Sequence, residues 1–356
     1  MPLYMDIHTV DSDSFTVEDV VKAHMEDLAI QEKFGVIQKK YWVNEEAKTL
    51  FCLMEGPNKE ACNEVHKESH GNTACNIIEV SDDEFNLFMG NVRTKNDLAY
   101  NISGELDTGY RTILSINFID LTGKYDHFYN EIYRLIESYK GAKLIQPDNE
   151  IMASFIVASN GVSCALSISK LLKSIPDNLE FYIALASGRP VDEKGNQLFE
   201  ATKKKVQFLC ELGLKNTIHI DVETKAISNK TPNSPKIKPD NFKVLKNEEF
   251  IILFKLYDII NEKLYHPDFQ SKDLNGALAL SKSQAYRKIK ALSGIAPNQL
   301  IQEIRLRRSL KNLKQKNQTI AEIAYDLGFN SPTYYTRIFR KRYNILPTSF
   351  AKLSTI

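Results

Sequence analysis

The chain has 356 residues, 43% of them hydrophobic, which is enough for two or three domains that each bury a core and makes a single domain an unlikely plan. There is no run of roughly eighteen apolar residues, and Pro2, Leu3, Tyr4 and Met5 replace the basic-then-apolar opening of a leader, so the expectation is a cytoplasmic protein without a membrane span. The net charge of +1 conceals a division: residues 250–356 carry 18 Lys and Arg against 7 Asp and Glu, and residues 1–249 carry 28 against 38. A basic end that attracts polyanions therefore follows an acidic remainder that repels them.

Residues 1–90 alternate strand and helix signals. They run from a strand at Leu3–Val10 to a helix from Thr16, then a strand pair at Val36–Val43 and Thr49–Met54, a helix at Lys59–Ser69 and a strand at Asn76–Val80. Thr16 can cap the first helix and Gly71 can end the second. The order βαββαβ is that of a ferredoxin-like α+β sandwich. A weaker break follows at 91–110. Residues 108–227 repeat the same logic, with a further helix at Thr202–Leu212 and a strand at Thr217–Val222. Residues 228–244, with Pro232, Pro235 and Pro239 among polar residues, read as a linker to a third domain, 245–356. The fold class expected is thus one or two α+β ferredoxin-like domains followed by an all-α double helix-turn-helix domain.

The five cysteines, Cys52, Cys62, Cys75, Cys164 and Cys210, are odd in number, dispersed and without a C-x-x-C pair, so reduced thiols are expected. Four of the seven histidines, His8, His24, His66 and His70, lie in the first 70 residues. His66 and His70 are four apart on a helix and share a face, as ligands on metal-binding helices do. Asp6 points to the same side of its strand as His8, and Glu55, Glu26 and Asp27 are further oxygen donors. The plain alternative is a set of surface and core-edge histidines. Tyr4-Met-Asp6-x-His8, Ala23-His24-x-x-Asp27, Tyr41-Trp42, Phe51-Cys-Leu-x-Glu55-x-Pro57 and Glu64-Val-His66-x-Glu-x-His70-Gly71 resemble a small bacterial ferredoxin-like family in which nickel is bound. That resemblance implies a metal site drawn from His8, His24, His66 and His70 with Asp6, Tyr41 or Glu55 as helpers. Imidazole and carboxylate donors suit nickel, copper, zinc or iron about equally, and copper would win on affinity alone. The resemblance favours nickel as the cofactor.

In the middle segment, Phe118-Ile-Asp120-Leu-Thr-Gly123 and Asp148-Asn149-Glu150-Ile-Met-Ala-Ser-Phe155 resemble parts of class III nucleotide cyclases. The second metal carboxylate would fall on Asn149, and two-metal phosphoryl chemistry needs both. A degenerate cyclase-like domain without catalysis is therefore expected, and no catalytic residue is assigned.

Beyond Glu249 the apolar residues recur at three and four, the helical period. In a first helix-turn-helix unit Ser271 is the expected cap of a short helix, and Leu280–Ser281 turns into a second helix, Lys282 to Leu292, ended by Gly294. This leaves Lys282, Ser283, Tyr286, Arg287 and Lys290 open to a groove, with Arg287 suited to a guanine edge. A long helix from Pro297 to about Lys314 sets the spacing of the two readers. In the second unit Thr319 and Glu322 form a capping box, Gly328 permits a left-handed turn, and Ser331-Pro332 start a helix carrying Thr333, Tyr334, Arg337, Arg340 and Lys341. Ala324, Gly328-Phe329, Arg337-Ile338-Phe339-Arg340 and Pro347-Thr348 meet the long signature of the AraC family, which this part of the chain resembles closely. Tyr335 and Asn344 stand where Phe and Gly are usual. The resemblance implies that Ser283, Tyr286, Arg287, Thr333, Tyr334 and Arg337 face bases, in major-groove segments about 34 Å apart. Lys341 and Arg342 are expected on phosphate. The reading is a DNA-binding transcription regulator responsive to a transition metal or small ligand. Its partners are double-stranded DNA, that effector and, left open, a second copy of the chain. The alternatives are an enzyme fused to a DNA-binding module and a metal buffer tethered to DNA.

Overall fold

The computed structural model describes residues 1–12, 14–90, 92–101, 103–121, 127–144, 150–175 and 179–353. Within these the chain separates into two compact units, one made of Met1–Leu114, Tyr139–Gly161 and Ala186–Lys204, the other of Ser115–Ser138, Val162–Leu185 and Lys205–Ile356.

In the first unit β1 (Leu3–Thr9) is buried along nearly its whole length because it is central, hydrogen-bonded antiparallel to both β3 (Thr49–Glu55) and β4 (Asn76–Val80). With β2 (Ile37–Asn44) the strands run β4-β1-β3-β2, extended by β6 (Leu98–Tyr100) and β5 (Arg93–Lys95). Helices α1 (Val17–Ile30) and α2 (Lys59–Ser69) fill the two crossovers, so the expected ferredoxin-like order holds. Thr16 caps α1 reciprocally with Asp19, and the Asn58 side chain accepts from the Ala61 amide to start α2. Helix α3 (Asp82–Met89), capped by Ser81, follows β4, and the β5–β6 hairpin lies in the stretch expected as a break. Arg93, Thr94 and Lys95 are all exposed, so the hairpin has no apolar alternation to reveal it. Its turn has positive φ at both Asn96 and Asp97, the geometry of a two-residue type I′ loop. The far face of the sheet is bolted by a buried ion pair: Arg111 gives two hydrogen bonds to Asp107 (2.9 and 2.8 Å) and one to the Phe88 carbonyl (2.8 Å), and Trp42 Nε1 donates to Asp107 as well (3.3 Å).

A second six-stranded sheet has the order β12-β11-β10-β7-β9-β8, where β7 is Arg111–Asp120, β8 Ala142–Leu144, β9 Ile151–Phe155, β10 Leu179–Gly188, β11 Thr217–Asp221 and β12 Phe242–Leu245. Its strands β10-β7-β9-β8 repeat the ferredoxin-like order, and β11 and β12 add in parallel. The helices of this part are α4 (His127–Ser138), α5 (Ala158–Lys173), α6 (Glu200–Leu212) and α7 (Val222–Lys230). The segment expected as a linker is shorter than its composition suggests: α7 runs to Lys230 and β12 begins at Phe242, leaving 231–241 to the prolines, which cannot donate to a ladder. Gly123, Asp148 and Asn149 of the cyclase-like motifs lie outside the described residues.

From Asn247 onward the second unit is helical: α8 (Asn247–Lys263), α9 (Ser271–Ala277), α10 (Lys282–Ser293), α11 (Pro297–Gln315), α12 (Ile320–Asp326), α13 (Pro332–Tyr343) and α14 (Pro347–Leu353). Caps fall where the sequence places them at Thr319 and Ser331, and Ser281, expected in the turn, caps α10. Ser271 is instead the first helical residue of α9, because the Asp273 carboxylate accepts the Gln270 amide (2.8 Å) and moves the boundary back by one. Tyr335 and Phe339 are fully buried with Phe329, Ile323 and Leu310, so the Tyr at 335 keeps the ring that the core needs. Asn344 takes φ 58° in place of a glycine.

Gly328 has φ +76°, and a Cβ there would stand 2.8 Å from both the Leu264 carbonyl and the Arg305 guanidinium, which itself donates to the Leu264 and His266 carbonyls at the end of α8. Gly328→Ala is expected to destabilise this domain by about 2 kcal/mol or more, whereas Gly276→Ala, with open space around it inside α9, should be neutral or gain up to about 1 kcal/mol. Denaturant unfolding of the two variants measures both.

Candidate metal centre and nucleic-acid interface

The inner face of the first sheet carries Asp6 and His8 from β1, Cys52 from β3 and Tyr41 from β2. Period-2 alternation puts Asp6 and His8 on one side of their strand, and the Tyr41–Cys52 register pair brings the neighbouring strands into line. Against this face α1 presents His24 and Asp27, and α2 presents His66. Asp6 Oδ2 is the meeting point, with His8 Nε2 at 3.1 Å and His66 Nε2 at 3.0 Å. Asp6 Oδ1 accepts the Cys52 amide (2.7 Å). The other His66 nitrogen, Nδ1, lies 2.9 Å from Asp27 Oδ2, and Asp27 Oδ1 takes the Ser69 hydroxyl (2.5 Å) and stands 3.3 Å from His70 Nε2. Among the described residues two donor groups result, Asp6–His8–Cys52–His66 and Asp27–His66–His70, each with its ligand atoms within 4.8 Å of one another and both sharing His66.

Burial by itself disfavours every charge here. For Asp6 it would raise the pKa, but the attraction of His8 and hydrogen bonds from His66 and His8 outweigh it and hold the carboxyl well below its ordinary range. Asp27 is lowered in the same way by His66, His70 and Ser69 against the opposing effect of burial. Burial would lower His66, yet its bonds to Asp27 and Asp6 raise it to about 10. At neutral pH an imidazolium therefore sits between two carboxylates. Burial and the nearby Asp6 and Asp27 charges push the Cys52 thiol up, so it stays protonated. A cavity of about 430 Å³ borders the cluster, lined among others by His8, His24, Tyr41, Cys52, His66 and His70.

Not every expected ligand joins. His24 is buried on the cavity wall, but its Nε2 pairs with Asp97 (3.1 Å) and its ring lies on Tyr41, 4.4 Å between centroids. Glu55 stands three residues from Cys52, hence on the opposite face of β3, and pairs with Lys39 (2.9 Å). Cys52 carries no separate signal in the sequence, because a lone thiol in an apolar strand reads as core; its register opposite Tyr41 puts it on the face of the cluster. Asp97, which holds His24, comes from the hairpin that the sequence conceals.

The nine residues expected on DNA, Lys282, Ser283, Tyr286, Arg287, Thr333, Tyr334, Arg337, Arg340 and Lys341, are all exposed on α10 and α13, while Ala285, Ile289, Tyr335, Ile338 and Phe339 face inward. Each helix shows solvent a tyrosine beside a cation: Lys290 lies 5.6 Å from the Tyr286 ring and Arg337 5.3 Å from the Tyr334 ring. Arg342, expected on phosphate, is the exception; it is half-buried and held by Glu180 and Glu303.

The chain joins an α+β domain with a buried histidine–carboxylate cluster to a helical domain with two helix-turn-helix units, the plan of a DNA-binding transcription regulator. Residues 4–80 match the family described as nickel responsive protein SCO4226-like, and residues 274–353 match a helix-turn-helix domain of AraC type. The crystal structure of SCO4226 from Streptomyces coelicolor A3(2) is similar, with 33% identity over 22% of this chain and 94% of that one and a TM-score of 0.21. A histidine kinase P4 of Formosa agariphila is 30% identical over 139 residues, 39% of this chain and 10% of the relative. The HTH-type transcriptional regulator MtrA of Neisseria gonorrhoeae is 29% identical over 76 residues, 21% of this chain and 25% of the relative. The chain thus spans a quarter or less of the length of these two curated relatives.

The charge state of the cluster fixes a pH profile for the metal-free protein. The His66 contribution to stability is complete below its ordinary 6.5 and is lost as pH rises through about 10, and those of Asp6 and Asp27 are present above 3.8 and lost as pH falls below it. This cluster should therefore contribute most to thermal stability between these ordinary values. Asp27→Asn should bring the His66 pKa down from about 10 towards 6.5, as read by NMR titration of its ring protons.

Proposed function

We propose that the protein is a transcription regulator that binds specific double-stranded DNA through α10 and α13 and responds to a divalent transition metal held by Asp6, His8 and His66. The DNA reading rests on one observation above all, that both recognition helices keep their reading faces exposed while burying the apolar residues that seat them. Arginine and lysine there supply phosphate attraction and bidentate contact to guanine, and the exposed tyrosines supply flat apolar edges.

The metal reading rests on the convergence of two imidazole nitrogens on Asp6 Oδ2. A cation at that point would replace the His66 proton, and Asp27 would then hold the far nitrogen of the ring as an outer partner, fixing its orientation. Nitrogen and carboxylate oxygen donors fit nickel, and equally zinc, copper or iron, so the donor set suits the group without selecting among them. The neighbouring cavity leaves room for an ion to enter with water or a small ligand.

Two measurements test these halves separately. On a fragment selected by the protein from random DNA, Arg337→Ala should cost about 1–3 kcal/mol and relax preference at one base position, while Lys341→Ala should weaken all sequences alike and reduce the salt slope by about 1. Equal affinity of wild type for selected and random DNA would sink the first half. Calorimetry of nickel, zinc and copper into the metal-stripped protein should show binding with release of about one proton near neutral pH, abolished by His66→Ala. Metal uptake by His66→Ala at the wild-type ratio would place the ion elsewhere.

A further inference from the structure

The middle α+β segment has no assigned task, and its contacts with the helical part of the same unit concentrate on two carboxylates. Glu211, near the end of α6, accepts from Arg308 of α11 through Nε (2.9 Å) and Nη2 (2.8 Å). The same guanidinium reaches Asn261 on α8 (2.5 Å) and the Tyr265 hydroxyl just beyond it (3.1 Å), so Glu211 sits at the joint between α8 and α11. Arg307 of α11 donates to the Glu211 carbonyl (2.8 Å) and lies 4.1 Å over the Tyr182 ring of β10. Phe208 of α6 stacks on Tyr257 of α8 at 3.5 Å.

Glu180 of β10 grips the other joint. It takes both terminal nitrogens of Arg342 on α13 (2.8 and 2.6 Å), and Arg342 also gives two hydrogen bonds to Glu303 on α11 (2.7 and 2.8 Å). Burial would raise Glu180, but Arg342 and Lys215 bring it down to about 2. Bidentate, partly buried pairs of this kind hold geometry as well as charge. Helix α11 is the spacer between the readers. One domain therefore holds it to α8 at one end of the array and to α13 at the other, from a side that leaves Ser283, Tyr286, Arg287, Thr333, Tyr334 and Arg337 exposed.

We propose that Glu180 and Glu211 are positioning residues through which the middle domain fixes the angle between the two recognition helices and hence the spacing of base sites that the protein accepts. Neither carboxylate touches DNA in this scheme. The inference rests on the DNA-binding reading above.

The test uses the full chain and the fragment it selects from random DNA, together with versions lengthened or shortened by one base pair between the two contacted segments. Wild type should lose about 100-fold in affinity on either change, and Glu180→Gln with Glu211→Gln should lose only about 10-fold or less, with its salt slope unaltered. Arg342→Lys, which keeps the charge but not the fork, should follow the double variant, and Glu211→Gln alone serves if the double variant unfolds early in a thermal melt. Wild-type spacing discrimination in the folded variants would overturn the clamp and leave the DNA-binding reading standing. Absence of selective DNA binding by wild type would overturn both.

Discussion

Charge removed from water has to be neutralised and hydrogen-bonded where it ends up, and this constraint organises the molecule more than any single apolar contact. The His66 imidazolium joins a strand to a helix through Asp6 and Asp27. Arg111 joins β7 to the end of α3 and to Asp107. Arg305 closes the carbonyl end of α8, and Arg342 joins α13 to α11 and to β10. In each case a fully or partly buried cation satisfies acceptors from segments far apart in sequence, so one residue fixes the mutual placement of two or three elements.

The histidine cluster applies the same constraint within a single site. A protonated imidazole between two carboxylates is a stable arrangement without metal, because every nitrogen of His66 has an acceptor. On the proposed reading a divalent cation would take the place of a proton there without stranding a charge. The cluster would then have two occupancies of similar shape and different charge, which is what the proposed response to metal requires.

The helical domain follows local rules closely. Capping hydroxyls at Ser281, Thr319 and Ser331, left-handed residues at Gly294, Gly328 and Asn344, and the three-and-four spacing of buried side chains all follow from neighbours within one or two turns. The exposed faces of α10 and α13 were therefore legible in advance. Arg342 was not, because its fate depends on Glu180, 162 residues earlier, and a cation at the end of a recognition helix looks the same whether it meets phosphate or carboxylate.

The sequence by itself determined the order of the main elements of both ferredoxin-like cores, the double helix-turn-helix and the exposed residues on α10 and α13, since these depend on periodicity, capping and turn chemistry within short windows. It also placed Asp6, His8 and His66 among the candidates. Only the tertiary structure decided that Cys52 and Asp27 join them, that Glu55 lies on the opposite face of its strand, and that His24 is held by Asp97 from a hairpin with no hydrophobic pattern. The tertiary structure likewise turned three arginines of the basic end, Arg307, Arg308 and Arg342, toward acceptors on the middle segment. The reason is physical: a side chain's period fixes the face it points to, and what waits on that face is set by register and long-range packing.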